Sequence, residues 1–393
     1  MRRVYLDHIA AAPLHPLVLE AMLPYLKDNF GNPQSLHSAG QEASAAIEEA
    51  RERVAQLIQA KSEEIFFTSS GSESNNFALK GLAMAQRDRG THMVVSAVEH
   101  QSILHSAKKL EKFGFTHSLV PVDKWGMVNL EEVRKVMTKE TMLVSIMLAN
   151  SEIGTIEPIR EIAEICRSQD VLFHTDAVAA VGNIPVDISE LGVDVLSLSG
   201  NQFYGPKGSA ALFLKKGTRI LPFIDGGIQE GGRRAGTEDV AGIVGLGKAA
   251  EIAKKEMENR TWKIQPLRDK LIELFPKKVD HVILTGHPEK RLPHHASFSI
   301  EFIEGEAMLL NLDMQGIAAS SGSACTSRAL KASHVLLAMG IDHALAQGSL
   351  VFSLTEKTTS EDIDYLLDVF PPIIERLRKM SPLYTKYLEE REK

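Results

Sequence analysis

The chain has 393 residues, 44% hydrophobic and 24% charged, with a formal net charge of −7. That length predicts two domains, or one large α/β domain with an appendage. No basic patch and no apolar run of the ~20 residues needed to cross a bilayer is visible, which argues against nucleic acid and membrane as partners. The opening MRRVYLDHIAAAPL has two arginines but no apolar stretch of leader length, so no signal peptide is expected. Two cysteines, Cys166 and Cys325, predict a reducing cytoplasm rather than a disulfide framework.

In chain order, residues 43–59 predict an amphipathic helix, with Ile47, Ala50, Val54, Leu57 and Ile58 at helical spacing. Short apolar, β-branched runs at 64–68, 93–97, 142–148, 171–175, 194–199 and 210–214 predict strands separated by helices. This alternation indicates an α/β fold, a mostly parallel sheet covered on both faces. After about residue 255 the pattern changes. A charged helix at 256–274 leads to strands VILTG and ASFSIEF, a helix, FSLTE and a long C-terminal helix, a smaller α+β domain. The expected division is a large domain of 15–255 and a small one built from 1–14 and 256–393.

Ligands of such open sheets sit beyond the carboxyl ends of the strands. The run EIFFT-SSGSESNN is strand, glycine turn and helix start, where Gly71 and Ser72 form an anion site or a plain helix cap. Asp176 ends VLFHT, either as a cap or as partner to a protonated ring nitrogen such as that of pyridoxal phosphate (PLP). His100, Asn150 and Ser199 follow three further strands. Five polar residues at five strand ends say more together than singly.

Here the motifs resemble the cysteine desulfurases of the NifS/IscS type, class V aminotransferases of PLP fold type I. FTSSGSESNN looks like the phosphate cup, SAVEHQSIL like the ring-stacking histidine segment, and FHTDAVAAVG like the pyridine-binding segment. RRAGTEDV is similar to the stretch that lends a phosphate-binding threonine, here Thr237, to a neighbouring subunit. SSGSACTSRALKASHVLLAMG looks like the loop of the catalytic cysteine, here Cys325. The resemblance runs from YLDHIAAAP to SPLYTKYL, essentially the whole chain, and implies a homodimer whose C-terminal segment docks an iron–sulfur scaffold protein.

The pattern breaks at one pocket. In LSLSGNQFYGPKG, Asn201 and Gln202 stand where the family has histidine and the lysine that holds PLP as a Schiff base. An amide cannot form that bond and shuttles no proton near neutral pH. Lys207 matches a lysine the family carries beside the catalytic one and reads as structural. Val351 stands at the family's carboxylate-binding arginine, so the bidentate pair is lost. Ala179 replaces a glutamine, and Thr355 and Glu356 replace Gly-Arg. Ser72, His100, Asn150, Asp176, Ser199 and Thr237 remain, so PLP held without a covalent bond is conceivable, as is a scaffold that keeps these residues as caps.

Cys166 falls on a stripe with Ile159, Ile162 and Ala163 and reads as a small core residue. Cys325 lies among small polar residues with Arg328 near, which favours a thiolate able to attack sulfur, carry a persulfide or ligate iron in a cluster shared with a partner. His294 and His295 read as a loop pair. Three functions follow. The first is a desulfurase homologue acting through Cys325 in sulfur transfer or iron–sulfur cluster assembly, without normal PLP-dependent desulfuration. The second is an enzyme with noncovalently held PLP, and the third a regulatory subunit of an active paralogue.

Overall fold

The computed structural model describes residues 2–322 and 332–391. Seven strands form the main sheet: β2 (Ile65–Thr68), β3 (His92–Ser96), β4 (Thr116–Val120), β5 (Thr141–Ser145), β6 (Leu172–Asp176), β7 (Val195–Ser199) and β8 (Ala210–Leu214). Their spatial order is β2-β8-β7-β6-β5-β3-β4. Strands β3 to β7 are parallel, while β8 runs antiparallel to β7 and β2. Every residue of β2, β3, β5, β7 and β8 is buried. Continuous apolar runs, not alternating ones, are what a sheet covered on both faces requires. The polar β4, THSLV, is a half-exposed edge strand that apolar patterning alone did not reveal.

Helices α1 (Pro16–Lys27), α2 (Ser38–Leu57), α3 (Gly71–Ala85), α4 (Gln101–Leu110), α5 (Leu130–Val136) and α6 (Ile159–Ser168) belong to this half of the molecule. In α2 the expected stripe is buried, and the helix starts earlier than its apolar residues because His37 caps it through Gly40 N. In α6 the stripe is buried as well. Cys166 is 1% exposed, and burial pushes its thiol up to about 12.

The helix expected at 256–274 is the second half of a 39-residue helix, Val240–Lys278, which passes unbroken through residue 255. Beyond it β9 (Val282–Leu284), β10 (His295–Ile300) and β12 (Ser349–Ser353) form an antiparallel sheet in the order β12-β10-β9. The N-terminal β1 (Val4–Tyr5) pairs with β11 (Ile317–Ala318). Val4 and Leu6 join a second apolar cluster with Leu271, Phe275, Phe298, Phe352 and Phe370. Phe275 and Phe298 stack at 4.4 Å between centroids. One expectation is corrected in part: His294 lies in the turn before β10, but His295 belongs to the strand. Both are buried, His295 opens β10, and its Nε2 lies 3.0 Å from the Ser151 carbonyl.

Candidate active site at the strand ends

Asp176 and Ser199 are the last residues of β6 and β7; His100 and Asn150 lie just beyond β3 and β5. A hydrogen-bond chain joins the first of these. Asn75 Nδ2 donates to Asp176 Oδ2 at 2.6 Å and to Ser102 Oγ at 2.9 Å. Ser102 Oγ lies 2.7 Å from His100 Nδ1, and Val178 N donates to Asp176 Oδ1 at 3.0 Å. His100 also caps α4 through Ser102 N. Asn75 and Ser102 escaped the sequence reading, although Asn75 falls one helical turn into α3, on the buried side.

Helix α3 begins against this chain of bonds. A Cβ on Gly71 would lie 2.5 Å from Val178 Cγ2, so only glycine lets the helix start approach the segment after Asp176. Ser70 caps the helix by accepting from Glu73 N. The remaining first-turn N–H groups and the exposed Ser72 face an end of the helix that favours anions. Thr237 is also exposed, just before Val240–Lys278, and makes no hydrogen bond with Ser72 or Ser199.

Gln202 ends a short 3-10 turn, Gly200–Gln202, in the tight return from β7 to β8, where Tyr204 takes φ +65. Its side chain is buried and committed. Nε2 donates to the Ile9 carbonyl at 2.9 Å, while Oε1 has no partner. The Gln202 carbonyl accepts from Asn183 Nδ2 and lies 2.9 Å from His8 Nε2. Burial lowers His8 to about 4, so this imidazole is neutral. Ser199 Oγ donates to Asn201 Oδ1 at 2.6 Å, and Ala179 is buried. Lys207 is exposed.

A cavity of about 280 Å³ opens beside His100 and Asn150, with Val351 of β12 in its wall. Asn150 is used up structurally. Its Nδ2 donates to Val98 O, and its Oδ1 accepts from Glu152 N and Ile153 N. Two acids line the same space. Glu99 is fully buried, and its Oε1 accepts from Met147 N at 2.7 Å while Oε2 has no partner; burial raises it well above the usual carboxylate range. Glu152 accepts from Ser333 Oγ, and burial raises it to about 7. Neither acid was singled out from sequence, though Glu99 directly precedes His100. The space has no lysine or arginine among the described lining residues. No three His, Cys, Asp or Glu among the described residues are grouped to hold a metal. Cys325, expected to act on sulfur or to ligate iron, and Arg328 beside it lie outside the described residues.

These residues match PLP at two of its three ends. Asp176, held by Asn75, suits a protonated ring nitrogen, and the α3 terminus with Ser72 suits the phosphate. They do not match a covalent link, because Gln202 offers an amide already bonded to Ile9.

The sheet order, the strand-end residues and the small antiparallel sheet define a class V aminotransferase fold. The model of that family, described as aminotransferase class-V, matches residues 4–366. The chain is 51% identical over 381 residues to "Cysteine desulfurase IscS" of Dictyoglomus turgidum, covering 97% of each chain. It is 44% identical over 386 residues to "Cysteine desulfurase NifS" of Azotobacter vinelandii, covering 98% of this chain and 96% of that one. A solved structure titled "NIFS-LIKE PROTEIN" superposes with a TM-score of 0.90 at 38% identity, covering 96% of this chain and 100% of that one. The chain therefore belongs to the class V aminotransferase family, among relatives named cysteine desulfurases of the IscS and NifS kind. No described helix is long and apolar enough to cross a membrane.

Proposed function

We propose that the protein handles sulfur through Cys325, as a persulfide carrier or cluster-assembly partner of an iron–sulfur scaffold protein, without ordinary PLP-dependent release of sulfur from cysteine. The observation that carries this reading is Gln202, an amide with its nitrogen fixed on Ile9 O where the resemblance implies a lysine. Val351 supports it, since an aliphatic wall offers an amino-acid carboxylate neither charge nor donor.

In this reading the Cys325 thiolate attacks the outer sulfur of a persulfide donor. The donor's S–S bond breaks, the donor leaves as thiolate, and Cys325 carries the persulfide with no net oxidation. A scaffold thiolate then attacks that outer sulfur and becomes a persulfide itself, and Cys325 leaves as thiolate, again with no net oxidation. The protein acts in the cytoplasm as a homodimer, with the exposed Thr237 completing the neighbouring phosphate site. PLP, where bound, is held without a covalent bond by Ser72, Ser199, His100 and Asp176; it would supply an electron sink for amino-acid carbanions.

Two measurements test the reading. Alanine release from cysteine, assayed with added PLP, is expected at background. Incubation with a low-molecular-weight persulfide is expected to add one sulfur to the intact mass, and Cys325→Ala should remove that gain. Robust alanine release that disappears in Cys325→Ala would falsify the proposal.

A further inference from the structure

We propose that the cavity beside β12 binds a small organic cation, a primary amine without a carboxylate, in preference to an amino acid. The inference does not rest on the sulfur-transfer reading, because Cys325 takes no part in it.

The cavity, about 280 Å³, is at the small end of ligand pockets and suits a molecule of a few heavy atoms. Its wall at β12 is inert. Val351 is 3% exposed, and its N and O are both paired with Ser320, so it contributes methyl groups alone. With no lysine or arginine among the described lining residues, a carboxylate entering the space would lose its water without gaining a counter-charge.

The opposite sign of charge is well provided for. Glu99 is fully buried, lines the cavity and has an unpartnered Oε2. Glu152, tied to Ser333, lines the same space. Behind the wall Asp7 accepts from Ser320, another lining residue. Burial by itself favours the protonated form of Glu99 and Glu152. An ammonium within about 4–6 Å favours their ionised form and donates three hydrogen bonds, whereas a carboxylate disfavours it further.

Calorimetric titration of the purified chain, with no PLP added so that amines meet no free aldehyde, decides the matter. The probes are propylamine, 2-aminobutyrate and butyrate, which share a three-carbon propyl chain and differ in the charged groups it carries. Propylamine is expected to bind at least about ten-fold more tightly than the other two, a ratio set by about one like-charge contact. Glu152→Gln, nearly isosteric, should weaken propylamine about ten-fold in a protein that still unfolds cooperatively. Val351→Arg should move the preference toward butyrate and 2-aminobutyrate. Should either variant fail to fold, the ranking on the unaltered protein still decides. Equal or tighter binding of a carboxylate, no binding of propylamine, or an unaltered affinity in a folded Glu152→Gln protein would each overturn the inference.

Discussion

Gln202 is held by one side-chain bond, from Nε2 to Ile9 O, in a buried site where its Oε1 finds no donor. A lysine there would lose that amide bond, at a cost of about 1 kcal/mol, and gain a reactive amine. Gln202→Lys is expected to make PLP covalently trappable by borohydride, read as a gain in intact mass. Cysteine turnover should remain absent, since Val351 still offers no cation. Gln202→Lys with Val351→Arg should release alanine, and turnover in the single variant would show that Val351 does not mark the carboxylate site. At this scale the sequence was informative through departures from a pattern: a glutamine or valine at a marked position is visible by inspection. The Asp176–Asn75–Ser102–His100 chain was not, because spacing shows which side of a helix is buried but not which polar atoms meet.

Two local contacts set how the elements around the site meet. Arg51 of α2 forms a bidentate pair with Glu230 at 2.8 and 2.8 Å, and Glu230 also accepts from Phe67 N of β2. The carboxylate side chain is only 2% exposed, and the arginine 11%. Glu230→Ala leaves a guanidinium buried and unpaired, so it should cost about 3 kcal/mol in denaturant unfolding. It should also loosen the segment that carries Thr237, read as faster proteolysis around residue 230. Gly71→Ala would drive a Cβ into Val178. It should destabilise the chain by about 1–3 kcal/mol and weaken PLP in a spectral titration, as the α3 terminus moves away from Asp176. The strands around these contacts were legible because they are continuous apolar runs bounded by turns. The edge strand β4 and the first half of Val240–Lys278 were missed. One is polar along its length, and the other, VAGIVGLGKAAEIA, is apolar on too many sides to show a stripe.

Buried ionisable groups dominate the molecule's expected response to pH. Burial raises Glu152 to about 7, Glu157 to about 8 and Glu99 well above its ordinary value. It lowers His8 to about 4, His174 and His295 to about 3, and His294 far below its usual range. The folded state binds protons more tightly than the unfolded at the three acids, so their effect lowers stability as pH rises from about 4.5 to 7 or 8. At the four histidines the folded state resists protonation, so stability falls as pH drops below about 6.5. Between these limits four histidines outweigh three acids, and above them the acids act unopposed. Unfolding free energy should therefore peak near pH 6.5 and fall on the alkaline side, with Glu152 accounting for about 1 kcal/mol of that fall. Urea midpoints at about pH 5, 6.5 and 8.5 would check this, and Glu152→Gln should flatten the alkaline limb. A midpoint rising steadily to pH 8.5 would contradict it. The separate antiparallel sheet β12-β10-β9 was legible in the strand runs that follow residue 255. The helix that bridges that point was not, because composition shifts while the backbone does not.

The pairing of Val4 and Tyr5 with Ile317 and Ala318 carries a consequence for biosynthesis. Strand β1 finds its partner only when roughly 300 further residues have been made, about 15–60 s later at ordinary elongation rates. Val4 and Leu6 are buried in the finished protein, yet they emerge with no core to enter. The main sheet, complete by residue 214, can close first, while the N-terminal segment waits as an apolar sticky end. Nascent chains stalled before β11 should therefore keep residues 2–6 open to protease or chaperone, and full-length release should protect them.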